Sequence, residues 1–202
     1  MTRYGASLLS LDREEVIFNR GDHPNFYHMV CEGQVKMTVL HESGKEFVQG
    51  YFGPGETFGE PPFFLEEPYP ADAVAVERST VWRIARESFL RLLADRPDVH
   101  MEVTRTLSRR LVYKSMMLNE LAVGEATQRL RTLIAYLRRQ EEAESVPFQV
   151  PFTRQDLADM TGLRVETVIR AIKSLEGEGV LSIERGKIIW SPEENPPPNS
   201  DT

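Results

Sequence analysis

Polar and apolar residues alternate through the first half of the chain in a pattern typical of half-buried β-strands. Val35, Met37 and Val39 occupy every second position of one run, and such runs are separated by turn residues, for example at 43–45 and 53–55. These intervals suit a compact antiparallel barrel or jelly roll. We therefore expect an N-terminal β domain over residues 1–96.

The apolar positions change to a helical period after residue 84. Residues 86–96 predict a short helix, and residues 98–123, which follow Pro97 and contain neither glycine nor proline, predict a long one. The a and d positions of the long helix form an apolar seam of about three heptads, enough to pair with a second copy of the chain. An alternative is a helix that packs on its own domain. The leucines of this seam are Leu107, Leu111, Leu118 and Leu121.

Residues 153–175 predict a helix-turn-helix. Thr153 and Asp156 have the spacing of a capping box, and Gly162 permits the tight turn that follows the first short helix. The second helix carries apolar residues on one face and charged residues on the other. The first group is Val168, Ile172 and Leu175, and the second is Glu166, Arg170 and Lys173. An alternative for the charged group is an ordinary solvated helix face.

A β-hairpin is predicted directly after this helix, because apolar residues at 180–183 and 187–190 flank a Glu-Arg-Gly turn. Arg185 and Lys187 at its tip are suited to bind DNA phosphates. A helix-turn-helix followed by such a hairpin is a winged helix. Ile169 borders the charged face of the second helix, where it either meets a thymine methyl or packs into the core.

Composition and charge exclude several classes of protein. The 202 residues carry a formal net charge of −7, which argues against indiscriminate binding to nucleic acid. No apolar run is long enough to cross a bilayer and no secretory signal is visible, so we expect a cytoplasmic protein without a membrane partner. A cupin-type enzyme needs clustered His and Glu metal ligands, which the β region lacks. We expect no enzyme activity, no metal and no cofactor.

With these motifs in place, the chain resembles the CRP/FNR superfamily of bacterial transcription regulators over nearly its whole length. The resemblance implies an α+β fold, with an N-terminal antiparallel β-roll at 1–96, a dimerisation helix at 97–123 and a winged-helix DNA-binding domain at 124–191. Residues 192–202 are rich in proline and predict a disordered tail. The segments that carry the resemblance are Gly21-Asp22, Gly33-Gln34-Val35, Gly55 to Glu60, Ala71 to Val76 and Gly162 to Arg170.

The resemblance also implies a homodimer bound to a pseudo-palindromic site on double-stranded DNA, acting as an activator with RNA polymerase as a partner. Glu166 and Arg170 match the family's base-contacting pair. With the neighbouring residues of the same helix, the expected base contacts are Arg164, Glu166, Ile169 and Arg170. The expected contacts to the DNA backbone are Thr153, Arg154, Gln155, Thr167, Lys173, Arg185 and Lys187.

The β-roll departs from the family's cyclic-nucleotide pocket. Cyclic-AMP-responsive members hold the phosphate with an Arg-Ser or Arg-Thr pair, and this chain has Tyr69 and Pro70 there. Glu60 stands at the ribose-contacting position but is followed by two prolines. We therefore expect a vestigial effector pocket formed by Glu60, Tyr69 and Pro70, and DNA binding that does not depend on cyclic AMP. A regulator that responds to another small molecule remains an open alternative.

Overall fold

The computed structural model describes residues 4–42, 46–140 and 147–191, with only the backbone at 121–123 and 140. The chain divides into two compact units, residues 1–111 and 112–202. The expected α+β fold class is confirmed: antiparallel sheets come first, then a long helix, then a helix-turn-helix with a hairpin. The predicted turn at 43–45, the polar loop at 141–145 and the tail at 192–202 lie outside the described residues.

Two four-stranded antiparallel sheets form the β-roll of the first unit. The strands are β1 (Ser7–Leu11), β2 (Val16–Phe18), β3 (Phe26–Glu32), β4 (Val35–Leu40), β5 (Glu46–Phe52), β6 (Thr57–Phe58), β7 (Asp72–Ala75) and β8 (Ser79–Ala85). One sheet has the strand order β1-β8-β3-β6 and the other the order β2-β7-β4-β5. Val30 and Val81 of the first sheet and Val35 and Ala73 of the second are fully buried in one shared apolar core. Of the predicted alternating residues, Val35 and Met37 are buried in this core and Val39 is half-buried against it.

The first unit also contains helices that the sequence pattern predicted only in part. Helix α1 (Glu60–Leu65) lies inside the β region, and its first turn contains Pro61 and Pro62. Proline is tolerated there because the first N–H groups of a helix have no partner within it. Helix α2 (Arg86–Asp95) is shorter than predicted by one residue; Phe89 and Leu93 on it are buried and Leu90 is exposed.

Helix α3 (Pro97–Val123) is the long helix that the sequence predicts, and it runs through the boundary between the units. Some side chains of α3 pack against other elements of the chain, and others are exposed. Val103 packs against an apolar cluster of the first unit, and Tyr113 stacks on Tyr136 in the second, with ring centroids 3.7 Å apart. Leu111 and Leu118, on the predicted seam, remain 68% and 66% exposed.

The second unit is a winged helix with its own apolar core. Its helices are α4 (Ala126–Gln140), α5 (Arg154–Thr161) and α6 (Val165–Gly177). The strands β9 (Phe148–Gln149), β10 (Leu181–Glu184) and β11 (Lys187–Trp190) form one sheet in the order β10-β11-β9. The short strand β9 was not predicted, because two residues are too few to show a period of two.

Candidate DNA interface and effector pocket

The first helix of the helix-turn-helix begins where the sequence predicts. Thr153 is the N-cap of α5, and its hydroxyl accepts a hydrogen bond from the backbone N–H of Asp156 at 3.2 Å. The Asp156 carboxylate in turn accepts from the backbone N–H of Thr153 at 2.8 Å. This reciprocal capping box satisfies two N–H groups that a helix start leaves unpaired. The predicted capping box is therefore confirmed.

The turn between α5 and α6 depends on one glycine. Gly162 ends α5 in the left-handed conformation with φ of 69°, a region that other residues enter only at a cost. The backbone N–H of Leu163 then donates to the carbonyl of Ala158 at 3.1 Å. These two features set the angle at which α6 leaves α5.

Helix α6 separates a buried face from a charged one. Val168, Ala171, Ile172 and Leu175 are buried in the domain core, and this includes all three residues predicted to face it. Glu166, Arg170 and Lys173 are exposed together with Arg164. Thr167 is half-buried, and its Oγ1 lies 3.4 Å from the Arg170 guanidinium. Of the expected base contacts, Glu166, Ile169 and Arg170 are thus exposed on α6, and Arg164 is exposed at its N-cap.

Ile169 is the apolar member of this surface. Its side chain is 40% exposed, so of the two alternatives for this residue the structure favours the accessible one over burial beside Ile172. An accessible aliphatic side chain beside Glu166 and Arg170 is suited to contact a thymine methyl group.

The predicted wing is present as the hairpin β10–β11, in which Glu184 pairs with Lys187. The two residues of its turn, Arg185 and Gly186, have positive φ angles of 49° and 81°. Arg185 and Lys187 are exposed, as expected for groups that reach phosphates. Arg154, another expected contact to the DNA backbone, donates from its guanidinium to the carbonyl of Gly186 at 2.7 Å.

The interior of the β-roll holds an ion pair that the sequence did not predict. Glu60 is only 2% exposed, and its carboxylate lies 2.7 Å from the guanidinium of Arg110 on α3. The Thr57 hydroxyl donates to the same carboxylate, and Arg110 also donates to the Thr57 carbonyl at 2.7 Å. The guanidinium carbon is 5.1 Å from the centre of the Phe52 ring. The expected ribose-contacting carboxylate therefore already has a cationic partner within the chain.

Tyr69 is the residue expected at the position where cyclic-AMP-responsive relatives have a phosphate-binding arginine. Its ring is buried and stacks on Phe18 with centroids 3.6 Å apart, and its hydroxyl is 3.4 Å from the Phe26 carbonyl. Burial raises the pKa of the phenol above its usual range, and the negative charges of Glu60 and Asp22 raise it further. Tyr69 is therefore a neutral group. Pro70, the other member of the pair, is exposed.

His28 is a second buried polar group of the β-roll. Its ring lies 5.3 Å from that of Phe58 and 5.5 Å from that of Phe18. Burial, with a smaller contribution from the positive charge of Arg83, lowers its pKa from 6.5 to about 4. Within the described part of the chain, its Nδ1 atom is buried without a hydrogen-bond partner. No sequence signal separates this histidine from the other three.

Neither a metal-binding cluster nor a membrane-spanning helix occurs among the described residues. Across residues 4–42, 46–140 and 147–191, no cluster of three His, Cys, Asp or Glu side chains could hold a metal ion. In the same ranges, every helix is too short or too polar to span a bilayer.

Comparison with family models separates the chain into two matched regions. The model of the cyclic nucleotide-binding domain matches residues 8–96, and the model of the Crp-like helix-turn-helix domain matches residues 128–193. The first region contains the β-roll with Glu60 and Tyr69, and the second contains α5, α6 and the wing.

Known proteins similar to the chain match it over most of its length. It is 33% identical over 172 residues to the cyclic AMP receptor protein of Thermus thermophilus, covering 85% of this chain and 78% of that protein. It is 29% identical over 179 residues to the cAMP-activated global transcriptional regulator CRP of Pasteurella multocida, covering 87% and 85%. The structure of the c-di-GMP-responsive global regulator CLP of Xanthomonas campestris has a TM-score of 0.70 at 24% identity, covering 93% of this chain and 95% of that one.

Proposed function

The chain belongs to the CRP/FNR superfamily of transcription regulators, and on that premise we propose that it is a homodimeric, sequence-specific DNA-binding activator that works without cyclic AMP. The observation that carries the proposal is the accessible face of α6, where Glu166 and Arg170 stand beside Ile169 on a helix backed by a winged-helix core. The regulator acts in the cytoplasm, with RNA polymerase as its partner at promoters.

The contacts to DNA divide into two groups by chemistry. Arg164, Glu166, Ile169 and Arg170 contact base edges in the major groove, where arginine donates to guanine and glutamate accepts from cytosine. The remaining polar groups surround this surface and position it on the phosphates without distinguishing bases. They are Thr153, Arg154, Gln155, Thr167, Lys173, Arg185 and Lys187.

Arg170→Ala should weaken operator binding by roughly 1–3 kcal/mol and relax the preference for one G·C pair in each half-site. Arg185→Ala should weaken binding to all sequences about equally and reduce its dependence on salt, because a phosphate contact releases counterions. Selection from random DNA followed by fluorescence anisotropy over a range of salt concentrations measures both effects. Identical behaviour of the two variants would contradict the division.

Ile169 should contact the methyl group of one thymine in each half-site. Replacing that thymine by uracil, which lacks the methyl group, should weaken binding of wild type but not of Ile169→Ala. Fluorescence anisotropy with uracil at each thymine in turn measures this, and a site whose positions affect both proteins equally would contradict the contact.

The exposed seam of α3 supports dimerisation. Leu111 and Leu118 lie one heptad apart with about two thirds of each side chain exposed, and Leu107 is half-buried. The side chain of Leu121, the last predicted seam residue, lies outside the described part. Burial of leucine side chains at this spacing against a second copy of the helix stabilises a dimer.

Sedimentation at micromolar concentration should give twice the chain mass of 23.1 kDa. Leu111→Glu should shift the protein to the monomer, because it places a charge in the seam. Met116→Glu is the matched control: Met116 is 45% exposed on the same helix but lies outside the seam. A wild-type monomer that binds the complete operator tightly would contradict the proposal.

Independence from cyclic AMP is supported by the groups around the vestigial pocket. A buried phosphate needs a cation or several donors, and Tyr69 offers one neutral hydroxyl that is already directed at a carbonyl. Pro70 has no backbone N–H to offer. Glu60, the ribose-contacting candidate, is paired with Arg110. Two of the relatives named above carry cyclic AMP in their names, and we infer that this chain departs from that chemistry at these residues.

Millimolar cyclic AMP or cyclic GMP should leave operator affinity unchanged, since a ligand shifts an equilibrium only by its difference in affinity for the two states. Fluorescence anisotropy with labelled operator, with and without nucleotide, measures this. A tightening of tenfold or more, equivalent to about 1.4 kcal/mol of coupling, would contradict it.

A further inference from the structure

We propose that Arg154 is a positioning residue for the wing: its hydrogen bond to Gly186 holds the hairpin tip where Arg185 meets a phosphate. This inference rests on the proposed function, because it concerns how DNA is bound. Arg154 then does more than contact a phosphate, because Arg185 depends on it to make its own phosphate contact.

The bond joins two distant parts of the winged helix. Arg154 is the first residue of α5, directly after the Thr153 cap, and Gly186 follows 32 residues later at the tip of the wing. The distance from Nη1 of Arg154 to the Gly186 carbonyl oxygen is 2.7 Å, typical of a charge-assisted hydrogen bond. Because the capping box fixes where α5 begins, the arginine projects from a defined point.

The base of the wing is held by other interactions. Strand β11 pairs with β9 through Ile189 and Trp190, and the backbone N–H of Val150 donates to the Ile188 carbonyl at 2.9 Å. None of these reaches the tip. Within the described residues, the bond from Arg154 is the one hydrogen bond that ties 184–187 to an element outside the hairpin.

The backbone of the tip shows why such a tie is useful. Arg185 and Gly186 both have positive φ angles, as the two central residues of a type I′ turn do. Glycine and asparagine favour the first of these positions, whereas an arginine there is disfavoured. A non-glycine residue held in this region by its surroundings is typical of a functional site. In this turn the residue is Arg185, and its guanidinium is exposed.

Arg154 retains donors for DNA as well. A guanidinium has five N–H groups, and one is used by Gly186. Arg154 can therefore bind the wing and a phosphate at the same time. Its replacement removes either its own phosphate contact only or that of Arg185 as well. Independent contacts produce losses of affinity that multiply. A positioning role produces losses that do not, because the contact of Arg185 disappears together with Arg154.

The test is a double-variant cycle with Arg154→Met and Arg185→Ala on the selected operator. We expect Arg185→Ala alone to lower the slope of log Kd against log salt by about one per half-site. In the Arg154→Met background, Arg185→Ala should change neither the affinity nor the slope. Lys173→Met is the matched control: it removes a predicted phosphate contact on α6, so its loss should multiply with that of Arg185→Ala.

A second readout follows the phosphate itself. Ethylation of the phosphate that Arg185 contacts should interfere with binding of wild type, and it should not interfere with binding of Arg154→Met, although that variant retains Arg185. Thermal unfolding without DNA checks that each variant is folded, and Arg154→Ala replaces the methionine variant if it is not. If wild type binds its operator and the losses of affinity from Arg154→Met and Arg185→Ala multiply, the positioning role of Arg154 is wrong and the proposed function still stands. A wild type that selects no DNA sequence would instead overturn the proposed function.

Discussion

Arg110→Met should lower the free energy of unfolding by about 3–5 kcal/mol, the range observed when one partner of a buried ion pair is removed. The Glu60 carboxylate is almost completely buried, and the guanidinium 2.7 Å away is its charged partner. Methionine fills part of the volume of arginine but supplies neither charge nor donors. The carboxylate is then left with the Thr57 hydroxyl in a site that water does not reach.

Two variants separate the ion pair from other effects of the substitution. Arg110→Met combined with Glu60→Gln should recover most of the lost stability, because the uncompensated charge is gone. Arg109→Met, one residue earlier, breaks an exposed pair with Glu102 and should cost at most about 1 kcal/mol. Urea unfolding at one fixed protein concentration measures all three, since the stability of a dimer depends on concentration. If Arg110→Met costs no more than Arg109→Met, the buried pair does not stabilise the fold as argued.

The same pair bears on regulation. Arg110 belongs to α3, the proposed dimerisation helix, and Glu60 and Thr57 belong to the β-roll. An ion pair within the chain thus joins the helix to the pocket wall without any ligand. If cyclic AMP is not required, this bond is a physical reason, because it connects α3 to the β-roll without a bound nucleotide.

Elements whose signal is local were predictable from the sequence. The capping box at Thr153 and Asp156, the turn at Gly162 and the buried face of α6 each depend on residues within one or two helical turns. Local spacing fixes such features because a helix places residues three and four apart on one side. The structure bears out these predictions, and the accessible charged face of α6 follows from them.

Features that depend on distant residues were not predictable. Arg110 and Glu60 are 50 positions apart, and Arg154 and Gly186 are 32 apart. No period connects such pairs, and each arginine alone fits an ordinary exposed position. Helix α1 was hidden for another reason, because two adjacent prolines within a β region indicate a turn more strongly than the first turn of a helix.

His28→Phe should remove an acid-sensitive part of the stability worth roughly 3 kcal/mol between pH 6.5 and 4. The His28 ring is buried among Phe18, Phe26 and Phe58, and its pKa is lowered to about 4 by burial first and by Arg83 second. The unfolded chain therefore binds a proton at this position as the pH falls through 6.5, whereas the folded chain does not until about pH 4. The contribution to stability is complete above pH 6.5 and is lost as the pH falls toward 4.

The measurement is the free energy of unfolding of wild type and of His28→Phe at several pH values between 7 and 4. Carboxylates titrate in the same range, so the quantity compared is the difference between the two proteins, which should change steadily in favour of the variant as the pH falls. His23→Phe, which removes an exposed imidazole, is the control for loss of a histidine as such. Phenylalanine suits the site because its neighbours are aromatic, and it also removes the unpartnered Nδ1 atom. Parallel stability curves for wild type and His28→Phe would mean that the buried imidazole binds its proton as readily in the folded chain as in the unfolded one.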